Sequence, residues 1–275
     1  MGRFKYESSK GAVIELDGPL SFVGIAEQAR SRSWAYDLRM RNIAAVSRPA
    51  REAKLSVWAT FAQADEMRKA FDSDMFSGEP GFFIVNDEWK QRAFVVAQDV
   101  KSAMLGELIA ELTIILLDGA WWRLASVPFI PDSGVDPEQY PYLDYDFDFA
   151  IDYGRPPLGR SVSTDATNPS PVRITVYGPA TNPAITAGSY LYQVNASVPS
   201  GGYLVIDGKE KTINLVGSDG SITNEFANGV RGSGEGGGQY IFEPVPTEEI
   251  TISWNNSFEF EFGWYQEEGE PPWLS

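Results

Sequence analysis

The chain has 275 residues, of which 43% are hydrophobic and 13% aromatic, a composition that builds packed cores and excludes general disorder. It contains neither cysteine nor histidine, which removes disulfides, thiolate nucleophiles, imidazole bases and the commonest metal ligands together, so no triad, cofactor or metal centre is expected. Its net charge of -16 is uneven: residues 1–130 hold 16 Lys/Arg against 17 Asp/Glu, whereas 131–275 hold 6 against 21, a balance that repels nucleic acid from the second half and argues against sequence-specific nucleic-acid binding.

No apolar run approaches the roughly 20 residues that span a bilayer, and the N-terminus lacks the apolar stretch of a leader, so no membrane association and synthesis in the cytoplasm are expected. In chain order, "AVIELDGPLSFVGIA" alternates around Asp17-Gly18, and "AKLSVWATF" places Leu55, Val57 and Ala59 on one side of a strand. The period then changes: Ala64, Met67, Phe71 and Met75 recur at helical spacing, and an Asp65 to Lys69 pair suits the same helix. The strands "PGFFIV", "AFVVAQDV" and "AELTIILLDGAWW" follow.

Between Pro128 and Pro157 the composition turns to Pro, Asp and Tyr, which marks a boundary: an N-terminal domain over 1–130, an Asp-aromatic linker over 131–157 and a C-terminal domain over 158–275. In the last, "VRITVYG", "SYLYQVNASV", "GGYLVIDG", "KEKTINLV" and "ITISW" read as an antiparallel β-sandwich, with hairpin turns at Asp207-Gly208 and Asp219-Gly220. The fold class is therefore mainly β with one helix. "GVRGSGEGGGQ" reads as a flexible loop and "QEEGEPPW" as a frayed acidic tail.

Four constellations are candidates for function. Asp144, Asp146 and Asp148 open like a calcium loop, but Phe149 and Arg155 stand where that loop needs Gly and Glu. The same stretch reads better as an extended ribbon whose aromatic face, Tyr145, Phe147, Phe149, Ile151 and Tyr153, needs cover either from the chain's own domains or from a neighbouring subunit. From Arg30 to Lys54 runs a basic stretch that includes Arg39, Arg41, Arg48 and Arg51, read either as a face for acidic partners or DNA or as an ordinary solvated pair of strands with a loop. Trp254 and Trp264, with Trp273, are candidates for stacking on sugars, and the acids around them for glycoside cleavage, although nothing fixes the carboxylate separation that reaction needs.

Taken in order, "FKYESSKGAVIELDG", "REAKLSVWATF", "ADEMRKAFDSDMF", "GEPGFFIV", "ELTIILLDGAWWR", "ITVYGPATNPAI", "GGYLVIDGKEKTINLV" and "GSDGSITNEFA" resemble the distal tail protein (Dit) family of long-tailed, non-contractile bacteriophages. The resemblance implies a belt domain that closes six copies into a ring, and a galectin-like C-terminal sandwich. It implies a structural rather than enzymatic role at the tail tip, with the tail tube protein, the tail-tip hub (tail-associated) protein and a receptor-binding protein as partners. The arginines would then serve as subunit-interface residues, and Tyr145, Phe147, Phe149 and Tyr153 would pack between modules. The alternative is a two-domain carbohydrate-binding or adhesin module.

Overall fold

The structure, a computed structural model, describes residues 4–16, 30–131, 160–231 and 240–272. The Asp-aromatic ribbon with Tyr145, Phe147, Phe149 and Tyr153, the three aspartates, the glycine loop from 232 and Trp273 lie outside the described residues. Among the described residues the chain is mainly β, and the α-helix that its periodicity implies runs over Phe61–Ser77. Its contacts divide it into two units, Met1–Arg123 with Glu267–Ser275, and Leu124–Gln266.

In the first unit the strands are β1 (Phe4–Glu7), β2 (Val13–Glu15), β3 (Ala35–Arg39), β4 (Asn42–Ser47), β5 (Arg51–Thr60), β6 (Gly81–Val85), β7 (Trp89–Met104) and β8 (Glu107–Leu116). An antiparallel sheet runs in the order β5-β8-β7-β6-β1-β2. Alternation along β5 buries Ala53, Leu55, Val57 and Ala59, as the sequence predicts, and these join Leu112, Ile114, Phe83 and Trp121 in one core. Among the described residues β3 and β4 pair with each other alone and form a separate hairpin.

Helix α1 (Phe61–Ser77) covers this core. Thr60 caps it reciprocally: the Gln63 N–H donates to the Thr60 hydroxyl oxygen at 3.3 Å while the Thr60 N–H donates to the Gln63 side-chain oxygen at 3.0 Å. Gly78 closes it at φ 72°, where a side chain would be strained. The Asp65 to Lys69 ion pair forms at 2.9 Å. The inward face differs from the expected one at its last position, where Asp74 is buried and Met75 is exposed. The carboxylate goes in because it is matched there: the Tyr6 hydroxyl donates to Oδ2 at 2.7 Å, and the Ser9 N–H and hydroxyl donate to Oδ1 at 3.0 and 2.7 Å.

The second unit is a two-sheet sandwich. After β9 (Trp121–Phe129) and β10 (Arg160–Val162) come β11 (Val172–Tyr177), β12 (Ala180–Thr181), β13 (Ala184–Ala187), β14 (Tyr190–Gln193), β15 (Ser197–Val198), β16 (Tyr203–Asp207), β17 (Thr212–Val216), β18 (Ile222–Asn224), β19 (Ile250–Trp254) and β20 (Phe260–Glu268). One sheet runs β18-β17-β16-β11-β20-β9 and the other β10-β19-β13-β14. Between them Phe260 stacks on Phe129 at 4.7 Å and meets Trp254 edge-on at 5.1 Å. The turn after Asp207 is longer than the expected two residues, since β17 resumes only at Thr212. The Asp207 carboxylate holds it by accepting the N–H groups of Lys209 and Glu210, both at 3.0 Å.

The chain's end departs from expectation. Glu267 and Glu268 continue β20, and the buried Arg30 guanidinium donates to the carbonyls of Pro271 and Pro272, so this segment is tied down through its backbone rather than frayed. The sequence-based boundaries placed everything after 158 in one domain. By contacts the second unit begins within β9 and the chain returns to the first within β20, so both strands run across the division.

Burial raises the phenol pKa values of Tyr6, Tyr192 and Tyr265 above the ordinary range, with hydrogen bonds from Tyr6 to Asp74 and from Tyr265 to Asp207 adding to the effect. A folded value above the unfolded one means that the native state keeps protons which the unfolded chain loses. Stability is therefore complete below about pH 10 and falls as pH rises past it. The urea midpoint is expected to drop between pH 9 and 11, and to drop less in Tyr6→Phe; a flat profile in the wild type would contradict this.

Candidate functional site

Among the described residues no three acidic side chains converge as a metal site. Buried carboxylates such as Asp74 and Asp207 are held by hydroxyl and N–H donors that also explain the local fold. The candidate site is instead a surface of the first unit, and it starts with the β3–β4 hairpin.

Every residue of β3 and β4 is exposed. Register places Tyr36 opposite Val46 and Leu38 opposite Ile43, so these four share one face, while Asp37 and Ala45 take the other. That apolar face is uncovered, with Leu38 74% exposed. An isolated two-stranded hairpin is marginal in water, and an apolar patch of this kind marks a contact to be made. At the tip Met40 is fully exposed at φ 50°, a left-handed conformation that a hairpin usually gives to Asn or Gly.

The four predicted interface arginines divide by this geometry. Arg39 and Arg41 flank Met40 at the tip, and no ion pair to either is found among the described residues. Arg48 lies with its guanidinium 4.3 Å from the centre of the Trp34 ring and so clamps the base of the arm. Its carbonyl stands where a Cβ on Gly119 would come within 2.5 Å, and Gly119 has φ 64°, so this junction accepts no side chain. Arg51 begins β5 and is half-buried, which lowers its pKa from the ordinary value. Only the first pair faces outward as an arm tip; the second pair builds the root.

The same unit carries a second exposed apolar area at the far end of its sheet. Trp58 of β5 pairs with Ile109 of β8, and Met104 pairs with Glu107, so their side chains stand on one outer face. The β7–β8 turn adds Leu105, 97% exposed and at φ 56°. Charges of both signs frame the patch: Glu107 accepts the Trp58 indole N–H at 3.1 Å, and Glu111, opposite Asp99 in the ladder, pairs with Lys54 and Lys101, both at 3.5 Å. The sequence reading named neither the arm's apolar face nor this patch.

The candidate sugar-stacking residues are placed differently. Trp264 is 5% exposed, and its indole N–H donates to the Thr164 carbonyl at 3.0 Å, so the ring offers no open face. Trp254 packs edge-on against Phe129 at 5.5 Å and donates to the Phe258 carbonyl at 3.2 Å. Both indoles belong to the packing of the sandwich.

No protein-family model matches the chain. No curated protein matches it either. Solved structures do, over almost its whole length. A chain of the phage P2 baseplate in its activated conformation with Ca superposes with a TM-score of 0.58 at 10% identity, covering 98% of this chain and 100% of that one. The phage p2 baseplate activated with Sr gives 0.55 at 10% identity, with coverage of 98% and 100%. The SPP1 Dit protein, a paradigm of the hub adsorption apparatus of phages that infect Gram-positive bacteria, gives 0.50 at 8% identity, with coverage of 98% and 99%. The fold is thus one that phage baseplate and Dit proteins share, through both units.

Proposed function

We propose that the chain is a Dit-like structural component of a bacteriophage tail tip, in which six copies close into a ring that joins the tail tube to the tail-tip hub and baseplate. The observation that carries this reading is the end-to-end likeness in fold to a baseplate chain, with both units matched. The exposed arm supports it independently, because among the described residues nothing packs against its apolar face. A ring needs two different complementary surfaces on each copy, and the first unit carries two separate apolar areas on a charge-balanced body. In this role the protein is a scaffold without a reaction of its own. It is made in the cytoplasm of the host cell, and its partners are the tail tube protein, the hub protein and, further out, a receptor-binding protein.

Light scattering of the purified protein together with negative-stain imaging tests the proposal. The expected particle has six times the 30.4 kDa mass of the chain and a central opening. Leu38→Glu combined with Ile43→Glu is expected to reduce it to single copies with an unchanged circular dichroism spectrum, since both side chains are exposed. A wild-type protein that stays at one copy when mixed with tail tube and hub proteins would refute the reading.

A further inference from the structure

We infer that the outer face of the larger sandwich sheet is a binding trough for a neutral, linear saccharide chain, which lies across strands β18, β17, β16, β11 and β20. The site is separate from the surfaces invoked for ring formation and does not depend on them.

Register defines the trough. Side chains directly opposite each other in an antiparallel ladder share a face. One such row runs, strand by strand, through Asn224, Asn214, Val205, Thr175 and Glu261. A parallel row beside it runs through Ile222, Val216, Tyr203 and Tyr177. The intervening positions, among them Leu204, Ile206, Ile174 and Phe260, turn the other way and build the core. Exposure gives the depth. Asn214, Val205, Thr175 and Glu261 are half-buried, Tyr177 and Tyr203 stand along one side at 39% and 38% exposed, and Arg173 is exposed on the other.

The chemistry of floor and wall is complementary to a sugar. The Asn214 amide and the Thr175 hydroxyl make no hydrogen bond to any described residue, so both are available to a ligand. Asn224 spends its Oδ1 on the Phe226 N–H at 2.9 Å and keeps its NH2 group. Glu261 is fixed in place: the Ser126 hydroxyl donates to one carboxylate oxygen and the Tyr177 hydroxyl to the other, at 3.4 Å, which leaves further lone pairs to accept from a ligand. Amide, hydroxyl and carboxylate in one line are what a row of sugar hydroxyls pairs with. The two adjacent phenol rings supply apolar surface with a wet edge, which suits the C–H face of a pyranose ring.

Size and charge choose this occupant over others. Strands lie about 4.8 Å apart and rows on one face about 6.6 Å apart, so the trough measures about 19 Å by about 13 Å, about 250 Å². A stable protein partner needs about 800 Å² on each side, far more than this. An extended peptide pairs with the backbone groups of a strand edge, which the face of a sheet does not present. A saccharide lying across the strands meets a new side chain at each step, at close to the length of one ring. Glu261 sits in the floor, and residues 131–275 hold 21 acids against 6 bases, so phosphate- or sulfate-bearing polymers are repelled where a neutral glycan is not.

Isothermal titration of the full chain tests the site, with neutral glucan, galactan, mannan and N-acetylglucosamine oligosaccharides of about five rings as probes and polyglycerol phosphate as the anionic one. At least one neutral probe is expected to bind, with an affinity that holds between about 0.05 and 0.5 M salt. Tyr177→Ala and Asn214→Ala, each shown to melt like the wild type, are expected to weaken it at least about tenfold, while Tyr177→Phe keeps it within about threefold. Silence of every neutral probe overturns the proposal, as does binding that neither alanine variant weakens, or binding of polyglycerol phosphate alone. A protein that forms the ring but binds no glycan leaves the tail-tip reading standing without this site. One that stays at a single copy and binds through Tyr177 and Asn214 keeps the site and removes the ring.

Discussion

Asp74→Ala is expected to destabilise the first unit by about 3 kcal/mol, lowering its melting temperature by about 10 °C. The substitution leaves the Tyr6 hydroxyl and two donors of Ser9 without their acceptor in a site where Asp74 is 1% exposed. Water cannot replace that acceptor at low cost in so closed a place. The interaction also fixes α1 to β1, two elements that are far apart in the sequence. Asp74→Asn keeps the shape and one acceptor, and is expected to fall between wild type and Ala. Thermal melts followed by near-ultraviolet circular dichroism decide it. A shift below about 2 °C for the alanine variant would show that the pin contributes little.

In the sandwich the corresponding change is Phe260→Ala, expected to cost about 4 kcal/mol. Phe260 is fully buried between the two sheets, stacked on Phe129 and edge-on to Trp254. Its removal leaves a cavity bounded by rings that strands hold in place, so little collapse can offset the loss. Phe260→Leu keeps most of the volume and is expected to lose less than half as much. The readout is the urea midpoint of the transition reported by tryptophan fluorescence, in which Trp254 and Trp264 belong to this unit. An alanine variant that unfolds with the wild type would mean that the aromatic stack is not what joins the two sheets.

The sequence made most of this architecture legible, because two periods dominate it. Leu55, Val57 and Ala59 alternate as a half-buried strand must, and Ala64, Met67 and Phe71 recur as a helix face must. Asp74 was not legible, since a helical pattern assigns a carboxylate to water unless the matching donors, here Tyr6 and Ser9, are known to lie opposite. The arm was not legible for a related reason. Tyr36, Leu38, Ile43 and Val46 alternate just as core residues do, and alternation cannot say whether a face is covered. A signal was nonetheless present: hairpins usually turn at Asn or Gly, and Met40 and Leu105 occupy such positions. The arginine run was seen as one cluster, but stacking of Arg48 on Trp34 and burial of Arg51 remove two of its four members from the tip. The tryptophans near the end suggested a sugar platform only because indoles serve both platforms and cores, and burial alone separates the two uses.

The crossing of the chain at β9 and again at β20 has an evolutionary reading. These strands are neighbours in one sheet, so the stretch from Leu124 to Gln266 is entered and left at adjacent strands, like a guest spliced into a host whose last segment is held by Arg30 through the Pro271 and Pro272 carbonyls. A guest with adjacent ends can be exchanged for another cassette without cutting the host's fold.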